Sequence, residues 1–222
     1  KYSINFKWYI VKKFKVSIQL KKNRISKNWI NKQRRDIYVR QSKIEGFRSR
    51  AVYKLKEINQ KFKILKNGQS ILDLGGAPGS WSQYLSKNLK NAKLLTIDLL
   101  EIEEIKDVKI IHGDFTEEKY KNEIKNFFNH KIDLVISDMA VNTSGNKNLD
   151  AIVTGELALN AMNFSLEVLK INGQFVTKIF MGSSFNEIVS NSKKYFKETN
   201  VFKPPSSRKD SKETFIISRN LR

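Results

Sequence analysis

One stretch limits what this chain can become more than any other: Ser70–Leu85, SILDLGGAPGSWSQYL. Its opening apolar run (Ile71, Leu72, Leu74) has the character of a buried parallel strand. The chain then turns sharply through Gly75, Gly76, Ala77, Pro78 and Gly79, and Trp81, Tyr84, Leu85 and Leu89 follow at helical spacing. Doubly wound α/β sheets use a strand, a glycine-rich turn and a helix to bring backbone and a helix N-terminus up to a nucleotide-like ligand. Glycine there lets a ligand reach the main chain where a Cβ would stand in the way.

The spacing separates two kinds of ligand. A dinucleotide turn reads G-x-G-x-x-G and aims its helix dipole at a pyrophosphate. Here the turn reads G-G-A-P-G, and Pro78 removes an N–H that a phosphate would want. S-adenosyl-L-methionine (AdoMet) carries no phosphate and needs room for a methionine moiety plus a carboxylate for its ribose. Asp98 closes the run Leu94-Leu95-Thr96-Ile97-Asp98, where a ribose-binding acid belongs, and Asp73 and Asp114 fall in register with it. A tight connection alone would account for the glycines; the acids turn the reading toward AdoMet and away from NAD.

The remaining elements follow in alternation. A helix spans Ser49–Lys63, with Val52, Leu55, Ile58 and Phe62 on one face and Ser49 as its N-cap. Strands are expected at Lys93–Asp98, Val108–His112, Ile132–Ser137 and Gln174–Phe180. Helices are expected at Glu117–Phe128, Asp150–Leu169 (ended by Asn172-Gly173) and Phe185–Phe196. A short strand at Val201–Lys203 and a last one at Glu213–Ser218 close the chain. This pattern predicts a Rossmann-like, three-layer α/β/α sandwich with a mostly parallel seven-stranded sheet. The last two strands are only a loop apart, so the final one is antiparallel.

Charge is distributed unevenly. Residues 1–50 hold 16 Lys and Arg against two acids, a net of +14, while the remaining 172 hold 26 against 20, a net of +6. A basic arm on a near-balanced domain is the footprint of a polyanion partner, and Trp29, Tyr38 and Phe47 within it can stack on unpaired bases. The expected division is an extra segment at 1–20, a basic RNA-binding arm at 21–48 and a domain at 49–222. Residues 1–20 read as a targeting segment or as sequence upstream of the true start. The protein is expected in the cytoplasm, or in a mitochondrion or other organelle if that segment targets it. No apolar run is long enough to span a membrane. There is no cysteine, and His112 and His130 have no metal-ligand spacing, so neither a membrane nor a bound metal is expected.

Ligands of an open parallel sheet gather at the C-terminal ends of its strands. Gly75, Asp98, Asp114, Asp138 and Lys178 stand at those ends. An antiparallel last strand starts at the same edge and adds Glu213, and the helix before the first strand can lay Lys54 across it. Taken singly, Lys54 and Glu213 read as surface charges and Lys178 as a snorkelling strand-end lysine.

Five motifs in order, IEGFRSRAVYKL, DLGGAPGSWSQYL, SDMAVNTSG, VTKIF and SRKDSKETFIIS, make residues 24–219 resemble the FtsJ-type ribosomal RNA 2′-O-methyltransferases. Within that family the bacterial and mitochondrial branch, which methylates a uridine of large-subunit ribosomal RNA, fits best. The resemblance implies a catalytic tetrad at Lys54, Asp138, Lys178 and Glu213. It further implies AdoMet contacts at Gly75, Gly79, Trp81, Asp98, Asp114, Phe115 and Asp138, and action as a monomer on rRNA or the large subunit late in its assembly, with no DNA partner. The family usually has Ala at Gly76, Gly at Ser80 and Pro at Val141. A ribose 2′-hydroxyl is a poor nucleophile, so the enzyme must align it and help its proton leave. Lys178 is assigned to orient and deprotonate that hydroxyl, or, if it keeps its own proton, to steer the oxygen and stabilise developing charge. Alternatives are transfer to tRNA or an mRNA cap, and a non-catalytic RNA-binding protein of the same fold.

Overall fold

The computed structural model describes residues 35–139, 147–182 and 184–222. The chain divides into two compact units, Lys1–Arg40 and Gln41–Arg222. The second opens ahead of residue 49, the expected domain start. Gln83 donates from Nε2 to the Gly46 carbonyl at 2.9 Å, the Phe47 ring lies 6.3 Å from Tyr84, and the Arg48 amide donates to Gln83 Oε1 at 3.2 Å. The basic stretch 21–48 therefore overlaps the domain at its C-terminal end. Trp29 and the segment 1–20 lie outside the described residues, as does Val141.

In order, the elements are α1 (Ile37–Ile44), α2 (Val52–Phe62), β1 (Ser70–Leu74), α3 (Ser80–Asn88), β2 (Lys93–Asp98), β3 (Val108–His112), α4 (Glu118–Phe128), β4 (Ile132–Ser137), α5 (Lys147–Val168), β5 (Leu169–Phe180), α6 (Phe185–Tyr195), β6 (Phe196–Phe202) and β7 (Glu213–Leu221). The seven strands form one sheet in the order β3-β2-β1-β4-β5-β7-β6. β7 runs antiparallel to both its neighbours, β5 and β6, and the other pairings are parallel. This is the expected Rossmann-like arrangement. β1 lies inside the sheet between β2 and β4 with all five residues buried, which is why its sequence is mostly apolar, Asp73 being the charged exception.

Strand alternation divides the core into two layers. Leu72, Leu74, Leu95, Ile97, Val135 and Phe175 pack with Ile124, Phe128, Ala161, Phe164 and Ile188 of α4, α5 and α6. Ile71, Leu94, Leu134, Ile136, Val176, Phe215 and Ile217 pack with Leu55, Ile58, Trp81 and Leu85 of α2 and α3. Asp73, Lys178 and Glu213 share the parity of Ile71, Val176 and Phe215, so they project on the α2/α3 side.

Several element boundaries differ from the expectation, three of them instructively. Asn172-Gly173 does not end α5; the helix stops at Val168, and the pair lies inside β5. There β4–β5 pairing jumps from Ile132–Leu169 to Leu134–Gln174, so the extra residues bulge out, with Asn172 at φ 63°. β6 starts at Phe196 rather than Val201, because Lys197–Asn200 are polar residues of an edge strand and show no alternation. α2 starts at Val52 with Ala51 as its N-cap, and the Ser49 hydroxyl instead accepts from the Ala51 amide at 3.2 Å and pairs with Ser80 Oγ at 2.8 Å. Among the described residues no helix is long and apolar enough to cross a membrane.

Candidate active site

At the C-terminal edge of the sheet four charged side chains meet. Asp138 follows the last residue of β4, Lys178 lies on β5 opposite Phe215, Glu213 opens β7 opposite Phe180, and Lys54 reaches in from α2. Lys178 Nζ donates to Asp138 Oδ1 at 2.9 Å and to the Asp138 backbone carbonyl at 2.5 Å. Lys54 Nζ lies 3.3 Å from both Asp138 carboxylate oxygens and 2.8 Å from Glu213 Oε2. All four side chains are largely withdrawn from solvent, Lys178 being 6 % exposed and Asp138 15 %.

Charges removed from water must compensate one another, and these do. Burial alone would lower the Lys54 pKa, but the Asp138 and Glu213 carboxylates outweigh it and hold the ammonium above its ordinary value. Burial likewise pushes Asp138 up, and the charges of Lys178 and Lys54 overcome this and bring its carboxyl below the usual range. Asp138 is thus a carboxylate clasped between Lys178 and Lys54.

The β6–β7 loop supports this cluster through residues that the sequence reading did not single out. Ser207 Oγ donates to Glu213 Oε1 at 2.8 Å, leaving Oε2 for Lys54. Glu57, one turn along α2 from Lys54, accepts from the Ser206 amide at 2.9 and 3.1 Å and from the Ser206 hydroxyl at 2.7 Å. Arg50 donates to the Ser206 carbonyl. Helix α2 therefore carries a cluster lysine and also grips the loop that aims Glu213. Two adjacent serines in a polar loop gave no hint of this.

Beside the cluster, the turn after β1 encloses a small cavity lined by Ala51, Asp73, Gly75, Gly76, Ala77, Ser80, Trp81 and Asp138. Protein atoms explain its glycines. A Cβ on Gly76 would come within 1.9 Å of Thr96 Oγ1, so an Ala here would force that threonine side chain to move. Gly75 faces the Met139 side chain. A Cβ on Gly79, at φ 102°, would come within 2.7 Å of Arg48 Nη1 and 2.8 Å of Ile105. Packing within the chain, in addition to any ligand, thus requires bare backbone here.

The other expected ligand contacts fall around this cavity in distinct ways. Trp81 is 2 % exposed and donates from Nε1 to the Ala51 carbonyl at 2.7 Å, so its indole is committed to the core while the residue lines the cavity at the start of α3. Phe115 is similarly a core side chain, its ring 6.3 Å from Phe164. Asp98 accepts from the Ala77 amide at 2.9 Å and from the Leu100 amide at 2.9 Å, joining the turn to the loop after β2. Asp114 Oδ1 accepts from the Thr116 amide at 2.8 Å and hydroxyl at 2.7 Å, ordering the approach to α4.

Asp73 is the unusual member. It is 1 % exposed, accepts from Ser82 Oγ at 2.7 Å through Oδ2, and has no partner for Oδ1 among the described residues. Burial pushes its carboxyl up to about 7; the Ser82 hydrogen bond opposes this, and the Asp138 and Asp98 charges add to it. An acid in the middle of an apolar strand is a legible sign of a functional position. Among the described residues no cluster of His, Cys, Asp and Glu could hold a metal ion.

Residues 47–221 match the family model described as FtsJ-like methyltransferase. The chain is 62 % identical over 203 residues to ribosomal RNA large subunit methyltransferase E of Pelagibacter ubique, covering 91 % of this chain and 100 % of that one. It is 44 % identical over 222 residues to the protein of the same name from Rickettsia akari, covering 97 % and 98 %. Among solved structures, a ribosomal RNA methyltransferase of Plasmodium falciparum superposes with a TM-score of 0.71 at 32 % identity, covering 79 % of this chain and 98 % of that one.

Proposed function

The chain belongs to the FtsJ-like methyltransferase family, and on that footing we propose that it transfers the methyl group of AdoMet to the 2′-hydroxyl of a uridine in large-subunit ribosomal RNA, late in subunit assembly. One observation carries the site assignment: Asp138, held by Lys54 and Lys178 with Glu213 behind them, lines the cavity of the glycine turn.

The residues around that cavity suit AdoMet. Asp73 Oδ1, buried without a partner, suits an ammonium group such as that of the methionine moiety. The first amides of α3 have no partner within the helix, and that N-terminus suits the methionine carboxylate. Asp98 would take the ribose hydroxyls and Asp114 the adenine, on the sides of their carboxylates turned from their own loops. When bound, AdoMet supplies a methyl group already activated by its sulfonium, so the chain's task is alignment and proton removal.

Lys178 has two of its hydrogen-bonding positions fixed on Asp138, one on the carboxylate and one on the carbonyl. A tetrahedral nitrogen bonded to Cε keeps one further position for the substrate. As a lone pair that position takes the hydroxyl proton; as an N–H it holds the oxygen and stabilises its growing charge. Lys54 bridges the two carboxylates and keeps Asp138 ionised, and Glu213, held by Ser207, keeps Lys54 in place.

The test is single-turnover methylation, at saturating AdoMet, of ribosomal RNA and of large subunits from cells lacking the protein. Lys178→Ala should lower the rate about 10²–10⁴-fold while AdoMet and RNA affinity persist, since the contact strengthens only in the transition state. Lys178→Arg should not restore it, because a guanidinium is larger and does not deprotonate. Near wild-type turnover in Lys178→Ala would remove Lys178 from the role and transfer it to Lys54. A ribose mark lost from tRNA or a cap, with rRNA unaffected, would overturn the substrate.

A further inference from the structure

Arg48 lies in the stretch whose charge suggests RNA, yet its guanidinium faces inward. Nη1 donates to the Pro78 carbonyl at 3.1 Å and to the Glu103 carbonyl at 2.8 Å, and Nη2 donates to the Glu104 carbonyl at 2.8 Å. Pro78 belongs to the glycine turn after β1; Glu103 and Glu104 belong to the irregular loop after β2. The Glu103 carboxylate is 3.9 Å away and 93 % exposed, so an ion pair is not what holds the side chain. Its backbone is anchored as well, through the Arg48 amide to Gln83 of α3 and through Ser49 to Ser80.

The same two loops are tied a second time, with the opposite polarity. Asp98 gathers amides, Ala77 from the turn and Leu100 from the loop, while Arg48 gathers carbonyls, Pro78 from the turn and Glu103 and Glu104 from the loop. His112 Nε2 adds a contact to the Leu99 carbonyl at 2.9 Å. Residues 99–105 form no helix or strand, so their course depends on such bonds. Gly79 is bare where Arg48 presses against it, which sets the guanidinium flush with the turn.

We propose that Arg48 is a positioning residue for the cofactor cleft, its guanidinium tethering the glycine turn to the loop after β2 so that the adenosine-binding side of the cleft is formed before ligand arrives. The proposal rests on the AdoMet reading above and assigns to Arg48 a role apart from RNA contact. The cluster of Lys54, Asp138, Lys178 and Glu213 shares no hydrogen bond with Arg48, so cofactor affinity and turnover separate. An arginine is required because one planar fork must reach three carbonyls, which a lysine's point charge cannot span.

Calorimetry of AdoMet binding to the full chain without RNA, together with AdoMet KM and kcat, tests this. Arg48→Ala should raise Kd and KM about 10- to 100-fold, the effect of losing hydrogen bonds to a charged group. The kcat at saturating AdoMet should change less than about threefold, and Arg48→Lys should recover little. Hydrogen exchange in Arg48→Lys should quicken in residues 76–80 and 99–105 together, which reads the tether even if Arg48→Ala fails to fold. If wild type binds no AdoMet, the cofactor reading falls, while exchange still decides the tether. Unchanged AdoMet affinity with an RNA salt slope reduced by about one would make Arg48 a phosphate contact and overturn the proposal.

Discussion

Replacing Asp73 by Asn should make the protein more stable at neutral pH, although it alters a buried hydrogen-bonded residue. In the folded chain burial raises this carboxyl from 3.8 to about 7, so the native state retains a proton that the unfolded chain releases. The stabilisation associated with that proton is complete below about pH 4 and is lost progressively up to about pH 7. At 1.36 kcal/mol per unit, this one group withdraws up to about 4 kcal/mol from wild-type stability across the window. Asn cannot titrate, and its amide oxygen still accepts from Ser82. Its NH2 adds a donor on the strand paired with β2, where Thr96 Oγ1 is buried without a partner. The variant minus wild-type difference, from urea unfolding of the full chain between pH 4 and pH 8, should therefore rise with pH and level off near pH 7. Asp138 does not disturb this window, because its lowered pKa places its own loss of stabilisation at more acid pH. Parallel pH profiles for the two proteins, or a difference that falls with pH, would refute the assignment of a raised carboxyl at Asp73.

Lys54→Met should cost about 3–5 kcal/mol, because it leaves the Asp138 and Glu213 carboxylates facing one another without their shared cation. Urea unfolding should show a smaller loss at pH 5 than at pH 8, as acid lets one carboxylate take a proton, and a pH-independent loss would count against the charge account. Deleting residues 1–40 should weaken RNA binding and flatten its salt dependence while AdoMet affinity is kept; an unchanged salt slope would make this stretch a solvated tail. Deleting residues 1–50 should additionally cost AdoMet affinity, since Arg48 is lost with it.

The architecture was legible because the strands announce themselves in two ways, as apolar runs and as acids that close them. Asp98 and Asp138 each follow such a run, and the short β6–β7 connection required an antiparallel last strand. Alternation also carries more than the fold. Lys178 stands two residues after Val176, and Glu213 two before Phe215, so parity alone sends both toward the layer in which α2 carries Lys54. What parity cannot give is the partner: whether Lys54 reaches Asp138, Glu213 or solvent depends on where α2 crosses the sheet edge, which no local pattern records.

The less legible part of the site is the one in which charged side chains serve the chain's own backbone. Arg48 sits in a run of cations and reads as one more RNA contact, yet its guanidinium is used by three carbonyls. Asp98 reads correctly as an acid at a strand end, yet both its oxygens first hold amides of two loops. Backbone groups in irregular loops lack the partners that helices and strands provide, and those shielded from water must find them in side chains. A ligand cleft formed between strand ends is made of such loops, so part of its charge must be internal scaffold. Net charge in the sequence counts these residues with the solvent-facing ones, and only the hydrogen bonds separate the two. The same reasoning bears on residues 41–48: the basic composition continues across the boundary between the two units, while Gly46 and Arg48 are already bonded to α3 and the glycine turn.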